Sequence, residues 1–290
     1  MTTFTGVLTA MVTPFAEDGS IDLPAARRLA AYLADNGSDG IVVAGTTGES
    51  PTLDDSEKLA LLDAVLEEVG DRLSVICGTG SNDTAHSVEL SSKAEKAGAH
   101  GVLVVCPYYN KPNRAGILAH FAEVAGEVSC PVVLYNIPSR AVINMPPDLL
   151  EELGRIENVV AVKQANNEEI QAIPGLDLIA GNDDSYLRCL EAGGVGGILV
   201  ASHLVGKQMR SIYDLVAAGD LGAAKAEDER LQPLYAALGV TTNPIPIKAA
   251  LESVGLCDSR MRLPMVPASK DERREIDVAL TDLGIDRVGE

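Results

Sequence analysis

Tryptophan is absent from this 290-residue sequence and phenylalanine occurs three times, which excludes a core built on large aromatic rings. With 46% of residues hydrophobic, the core has to be aliphatic. The five cysteines (Cys77, Cys106, Cys130, Cys189 and Cys257) have no CxxC spacing, so neither a zinc ribbon nor a dithiol redox motif is indicated. Three of them lie in or beside apolar runs, where they read as small buried hydrophobes of a reducing cytoplasm. No apolar run approaches the roughly 18 residues of a membrane-spanning helix. The opening Met-Thr-Thr-Phe-Thr-Gly lacks a basic n-region and a long apolar stretch, so no signal peptide is expected. Basic residues are scarce, 23 against 42 acidic ones, for a net charge of −19. That balance argues against nucleic acid or an anionic membrane as partner, and any small carboxylate ligand needs a local cationic pocket. The four histidines (His86, His100, His120 and His203) form no HxH or HExxH spacing, and no metal is implied.

Eight short β-rich runs are present, at Val7–Val12, Gly40–Val43, Leu73–Cys77, Gly101–Cys106, Pro131–Tyr135, Asn158–Lys163, Leu176–Ala180 and Val195–Ala201. Between them, stretches such as Asp54–Val69, Asn82–Ala97 and Arg114–Gly126 carry apolar residues at i, i+3, i+4 spacing. Asp54-x-x-Glu57 has the form of a capping box. Strand and helix alternating eight times predict an α/β fold, a (β/α)8 TIM barrel in a single catalytic domain over residues 1–219. Beyond it, Leu221–Leu238, Ile247–Val254 and Lys270–Leu283 predict an appended C-terminal helical segment over residues 220–290, with no sheet of its own.

In such a barrel, functional groups follow the C-terminal ends of the strands. Every polar, Gly-punctuated cluster falls there: Gly45–Ser50 after strand two, Pro107–Asn110 after strand four, Tyr135–Arg140 after strand five and Gly181–Asp184 after strand seven. Lys163 closes strand six and is the only one of the nine lysines to end such a strand. Burial disfavours the charged form of an amine, and a neutral lysine amine forms Schiff bases with carbonyl compounds. A structural ion pair at the strand end is the alternative for this residue alone.

The neighbouring clusters bear on that choice. The glycines of Gly45–Ser50 allow close backbone approach, and successive N–H groups near a helix start suit an anion. Because no P-loop lysine follows, a carboxylate fits better than a phosphate. Tyr135 and Tyr109 can pack at the rim, and beside an amine nucleophile they can pass protons. Arg140 offers a planar fork for a carboxylate, or a surface ion pair. Gly193–Gly197 precedes strand eight and lacks the dinucleotide pattern, so it reads as a tight turn. Asp183-Asp184, without histidine partners, reads as a helix cap.

GTTGES at 45–50, PYYN at 107–110, YNIPSR at 135–140, Lys163 and NPIPIK at 243–248 together resemble the dihydrodipicolinate synthase family, from Phe4 to about Pro264. The resemblance implies an imine between Lys163 and C2 of pyruvate, without a cofactor. It also implies a proton relay of Tyr135, Thr46 and Tyr109, the last reaching into a neighbouring subunit. Thr47 would hold the pyruvate carboxylate, Arg140 would grip the carboxylate of L-aspartate 4-semialdehyde, and backbone groups of Gly181 and Ile198 would border the lysine. A homotetramer built from two tight dimers is implied as well. A related class I aldolase acting on a sugar-acid or hydroxyproline-derived 2-keto acid would share Lys163 and Tyr135. A pyruvate-binding regulatory barrel is the non-enzymatic alternative. Two departures from the family pattern, Ala141 and Gln164, are expected to shift pocket polarity. In lysine-sensitive members an allosteric site carries two histidines and a glutamate where this chain has Asp55, Lys58 and His86, while Ser50, Asn82 and Tyr108 match. Weak or absent inhibition by lysine is therefore expected.

Overall fold

The computed structural model describes residues 4–288. The residues of the expected signal-free N-terminus up to Thr3, and the last two of the 220–290 segment, lie outside the described residues. Eight parallel strands close into a barrel in sequence order: β1 (Gly6–Ala10), β2 (Gly40–Val43), β3 (Ser74–Gly78), β4 (Gly101–Val105), β5 (Val132–Asn136), β6 (Val159–Gln164), β7 (Asp177–Ala180) and β8 (Gly196–Leu199), with β8 pairing back to β1. The strands are short because each is buried on both faces and needs only to span the barrel wall. Around them lie α1 (Leu23–Asp35), α2 (Asp55–Val69), α3 (Thr84–Lys96), α4 (Arg114–Glu127), the single turn α5 (Pro138–Ala141), α6 (Pro147–Leu153), α7 (Tyr186–Glu191) and α8 (Ser202–Ala217). Then come α9 (Leu221–Leu238), α10 (Ile245–Ser253) and α11 (Lys270–Asp282).

The capping box expected at the start of α2 is formed: the Asp54 carboxylate accepts from Glu57 N, and the Glu57 carboxylate accepts from Asp54 N. Strand and helix do not alternate eight times, however. Between β6 and β7 the chain makes a 3₁₀ turn (Asn167–Glu169) and no α-helix. The connection over residues 165–176 is short, and Pro174-Gly175 interrupts it.

Strand alternation divides the apolar side chains between two clusters. Leu8, Val42, Ile76, Leu103, Val133, Ala161, Ile179 and Ile198 fill the barrel interior, whereas Val7, Ile41, Val75, Val102, Val132 and Val162 face the helices. Leu231, Leu234, Ile247, Leu251, Ile276 and Leu280, all beyond residue 219, belong to the same apolar cluster as that outer layer. All five thiols are free, and those of Cys77, Cys106 and Cys189 belong to buried residues. Among the described residues no helix is long and apolar enough to cross a membrane.

Candidate active site

The parity that sends Val133 and Ala161 into the barrel sends Tyr135 and Lys163 there too, one layer nearer the C-terminal mouth. The two residues are register partners on adjacent strands. Lys163 is the penultimate residue of β6, not its last, because Gln164 still pairs with Asn136 and Ala180. Lys163 is 6% exposed, and its Nζ lies 4.2 Å from the centre of the Tyr135 ring. It takes part in no ion pair among the described residues, unlike Lys248, which is locked to Glu49. Beyond β7, Gly181 N donates to Gln164 O at 2.8 Å. A Cβ at Gly181 would stand 2.7 Å from that carbonyl and 2.8 Å from Ala165, so a side chain there would collide with the strand end that carries Lys163. Ile198 lies in the barrel-interior cluster with Tyr135.

A cavity of about 860 Å³ opens above this layer. Thr46, Tyr135 and Arg140 line it together with Leu103, Val105 and Ile137. Lys163, Thr47, Gly181 and Ile198 are not among its lining residues. Tyr109 is not brought to this cavity. It is 85% exposed, on a left-handed backbone (φ 72°), and projects from the rim.

The Gly45–Ser50 loop is shaped by close approach. A Cβ at Gly78 would stand 2.2 Å from Ala44 O, so only glycine lets the end of β3 pass under the loop. Thr13 Oγ1 donates to Gly48 O at 2.6 Å, and Glu49 adopts φ 55°. Among the described residues the N–H groups of Thr46 and Thr47 donate to no backbone carbonyl, which leaves them for an anion. From the opposite side Asn243 Nδ2 donates to Thr47 Oγ1 at 2.9 Å. Arg140, at the mouth, donates from Nη2 to Asn243 O at 3.0 Å and to Thr242 Oγ1 at 3.2 Å.

Two expectations need amendment. Gln164 does not touch the pocket. Strand alternation turns it outward, where its Oε1 accepts from Asn136 Nδ2 and Asn166 N, both at 3.0 Å, and ties the ends of β5 and β6 together. Ala141, in contrast, does line the cavity. Asp183 does not cap the helix that follows it in sequence. Its carboxylate accepts from Val200 N and Ala201 N in the turn that precedes α8. Burial pushes this carboxyl up to about 6, against the two N–H donors and the charge of Lys163, which pull it down.

Four contributors, Thr242, Asn243, Glu49 and Lys248, were given no role from the sequence. Thr242 and Asn243 touch Arg140 and Thr47 from a turn outside the barrel. Glu49 and Lys248 form an ion pair at 2.5 Å, with side chains 2% and 0% exposed. The signal lay within the GTTGES and NPIPIK motifs, since a lysine in the middle of a buried helix requires a partner.

The same cavity continues outward over Ser50, Asp55, Lys58, Asn82, His86 and Tyr108. There His86 Nε2 lies 2.8 Å from Asp55 Oδ1, with Lys58 Nζ 4.0 Å from the same oxygen.

Residues 3–283 match the Dihydrodipicolinate synthetase family. The 4-hydroxy-tetrahydrodipicolinate synthase of Moorella thermoacetica is 47% identical over 96% of this chain and 98% of its own length. That of Parasynechococcus marenigrum is 48% identical over 94% of this chain and 93% of the relative. Among solved structures, a monomeric dihydrodipicolinate synthase variant superposes with a TM-score of 0.94 at 39% identity over 98% of each chain. The synthase of Cyanidioschyzon merolae with lysine bound superposes with a TM-score of 0.95, also at 39% identity, over 98% of this chain and all of that one.

Proposed function

The chain belongs to the dihydrodipicolinate synthetase family and condenses pyruvate with L-aspartate 4-semialdehyde to 4-hydroxy-tetrahydrodipicolinate, a lyase reaction of lysine and diaminopimelate biosynthesis, and we propose that Lys163 is the amine on which that reaction runs. One observation carries the assignment: a buried amine with no carboxylate partner among the described residues lies against a tyrosine at the mouth of the barrel. The relatives at 47% and 48% identity are synthases, which speaks against an aldolase acting on a sugar-acid or hydroxyproline-derived 2-keto acid.

Lys163 Nζ attacks C2 of pyruvate to give a carbinolamine, which loses water to form the imine. The protonated imine withdraws electrons from the methyl group, which loses a proton to give an enamine. The enamine carbon attacks the aldehyde carbon of the semialdehyde, and the aldehyde oxygen takes a proton to become the hydroxyl. The semialdehyde's own amine then attacks the imine carbon and closes the ring, expelling Lys163 as free amine. The electron sink is the lysine's own imine, so no cofactor is invoked.

Each remaining role is a proposal. Tyr135 and Thr46 line one cavity, and the centre of the Tyr135 ring lies 4.2 Å from the Lys163 amine, which supports their passing protons during water loss. Tyr109 completes that relay in a neighbouring subunit, a role supported by its exposed, left-handed position. Thr47 and the unengaged N–H groups of its loop receive the pyruvate carboxylate, and Arg140 grips the carboxylate of the semialdehyde. Backbone groups of Gly181 and Ile198 border the lysine. Residues 1–219 act as the catalytic barrel and 220–290 as its appended helical segment. The active form is a cytoplasmic homotetramer, a dimer of dimers, in which Tyr109 crosses between subunits. Lysine inhibits weakly or not at all, because the Asp55 carboxylate is already engaged by His86 and Lys58 stands beside it.

The test is borohydride reduction in the presence of pyruvate, followed by peptide mass mapping. Reduction should add the pyruvate-derived mass at Lys163 and nowhere else. An unmodified Lys163 in an actively condensing enzyme would refute the assignment.

A further inference from the structure

Both side chains assigned to substrate carboxylates are held by one short turn that lies outside the barrel, between α9 and α10. Thr47 Oγ1 accepts the N–H of Asn243 Nδ2 at 2.9 Å. A hydroxyl has a single proton and two lone pairs. With one lone pair taken by the amide, the Thr47 proton is directed away from Asn243. The other polar atom of that amide, Oδ1, is buried and has no partner among the described residues, so the amide's one side-chain bond there is the one to Thr47.

The same turn braces Arg140. Nη2 of the guanidinium donates to Asn243 O and to Thr242 Oγ1, which leaves Nη1 and Nε for a ligand. Arg140 is exposed on α5, and no ion pair among the described residues holds it. Without the turn, nothing would keep so long a side chain over the mouth against its rotamer entropy. The helix that follows the turn, α10, is tied to the Gly45–Ser50 loop, because Lys248 Nζ donates to Glu49 Oε1.

We propose that the Thr242–Asn243 turn is a positioning element for both substrates: Asn243 orients the Thr47 hydroxyl toward the pyruvate carboxylate, while Thr242 Oγ1 and the Asn243 carbonyl hold the Arg140 fork ready for the semialdehyde carboxylate. It rests on the assignment of Thr47 and Arg140 given above. Neither residue of the turn touches a reacting atom, so their effects fall on binding and not on the chemical step.

Near-isosteric variants test this. Asn243→Asp offers only acceptors, so the Thr47 hydroxyl must turn toward it, and its charge opposes that of pyruvate. The pyruvate KM should rise about tenfold or more while kcat stays within about threefold. Thr242→Val removes one brace of Arg140 and should raise the semialdehyde KM about threefold with the pyruvate KM unchanged. Should Asn243→Asp not fold, Asn243→Ser shortens the donor without adding charge and carries the same pyruvate-selective expectation. An unchanged pyruvate KM would overturn the proposal, as would equal movement of both KM values and kcat, the pattern of general loosening. Borohydride trapping separates the two levels. Wild type that traps pyruvate on Lys163, with Asn243→Asp trapping at the same half-saturating concentration, refutes the positioning role alone. Wild type that traps nothing refutes the functional assignment and this proposal with it.

Discussion

Lys163 at the barrel mouth and Lys248 in α10 are both withdrawn from solvent, and both amines lie over an aromatic ring, 4.2 Å from Tyr135 and 4.3 Å from Phe15. They differ in what surrounds the nitrogen. Lys248 donates to Glu49 at 2.5 Å and to Arg260 O at 2.6 Å, so its charge is matched and its lone pair is unavailable. Lys163 has a phenol beneath it, an open cavity nearby and no carboxylate within ion-pair distance among the described residues. Burial pushes the Lys248 amine below its ordinary range, yet no chemistry is implied there. Burial alone does not make a nucleophile; an unmatched amine with a proton carrier and room for a carbonyl does.

Lys163→Ala is the most direct way to break the comparison. Condensation should fall on the order of 10³-fold or more, and borohydride trapping should vanish while the fold persists. The effect of Lys248→Met should appear in stability instead. Leaving Glu49 buried without its partner costs about 3–5 kcal/mol, which should lower the Tm by roughly 10 °C in a thermal melt. Adding Glu49→Gln to Lys248→Met should recover part of that loss, since it removes the uncompensated charge. If Lys248→Met melts like wild type, the structural role is refuted.

Tyr135→Phe gives Lys163 the same kind of ring that Lys248 has. Proton transfer by a positioned group contributes about 10²-fold or more, so kcat should drop by at least about that factor while trapped imine still forms slowly. A variant with full kcat would mean that the hydroxyl is dispensable and the ring is packing.

Asp183 is the carboxyl whose ionisation Lys163 influences, and its effect on stability is smaller. Because its folded-state value is raised to about 6, the folded chain holds this proton more tightly than the unfolded chain does. Its contribution to stability is therefore fully present below about pH 4 and is lost as pH rises through 6. Part of the side chain still reaches solvent, which discounts the full linkage value. Asp183→Asn should abolish this decline, so the stability gap between variant and wild type should change by on the order of 1–2 kcal/mol between pH 4 and 7 in denaturant titrations. A gap independent of pH would contradict it. The smallest expected effect is that of free lysine: at millimolar concentration it should leave the steady-state rate unchanged within about twofold, because an ammonium entering beside Lys58 finds the Asp55 carboxylate occupied.

Much of the frame was legible residue by residue. The span Leu221–Leu238 is a helix as read, β2 is Gly40–Val43 as read, and the Asp54 capping box forms as its spacing requires. The site was legible to the extent that it follows strand parity, which carries Tyr135 and Lys163 to the same mouth. Parity also explains the misjudged Gln164, which immediately follows an inward-facing residue and so must face outward. The missing helix between β6 and β7 was hidden because counting strands does not test what each connection forms.

The sequence by itself determined the periodic features: eight apolar runs, the loops at their C-terminal ends, and a lysine placed where a buried strand meets such a rim. These depend on neighbours within a few positions, which local spacing records. Only the tertiary structure decided which buried amine is matched by a carboxylate, because Glu49 lies 199 positions from Lys248. It also decided which turn orients Thr47, 196 positions from Asn243. Charge pairing and hydroxyl orientation depend on distance through space, and closing the barrel against its appended helices is what sets those distances.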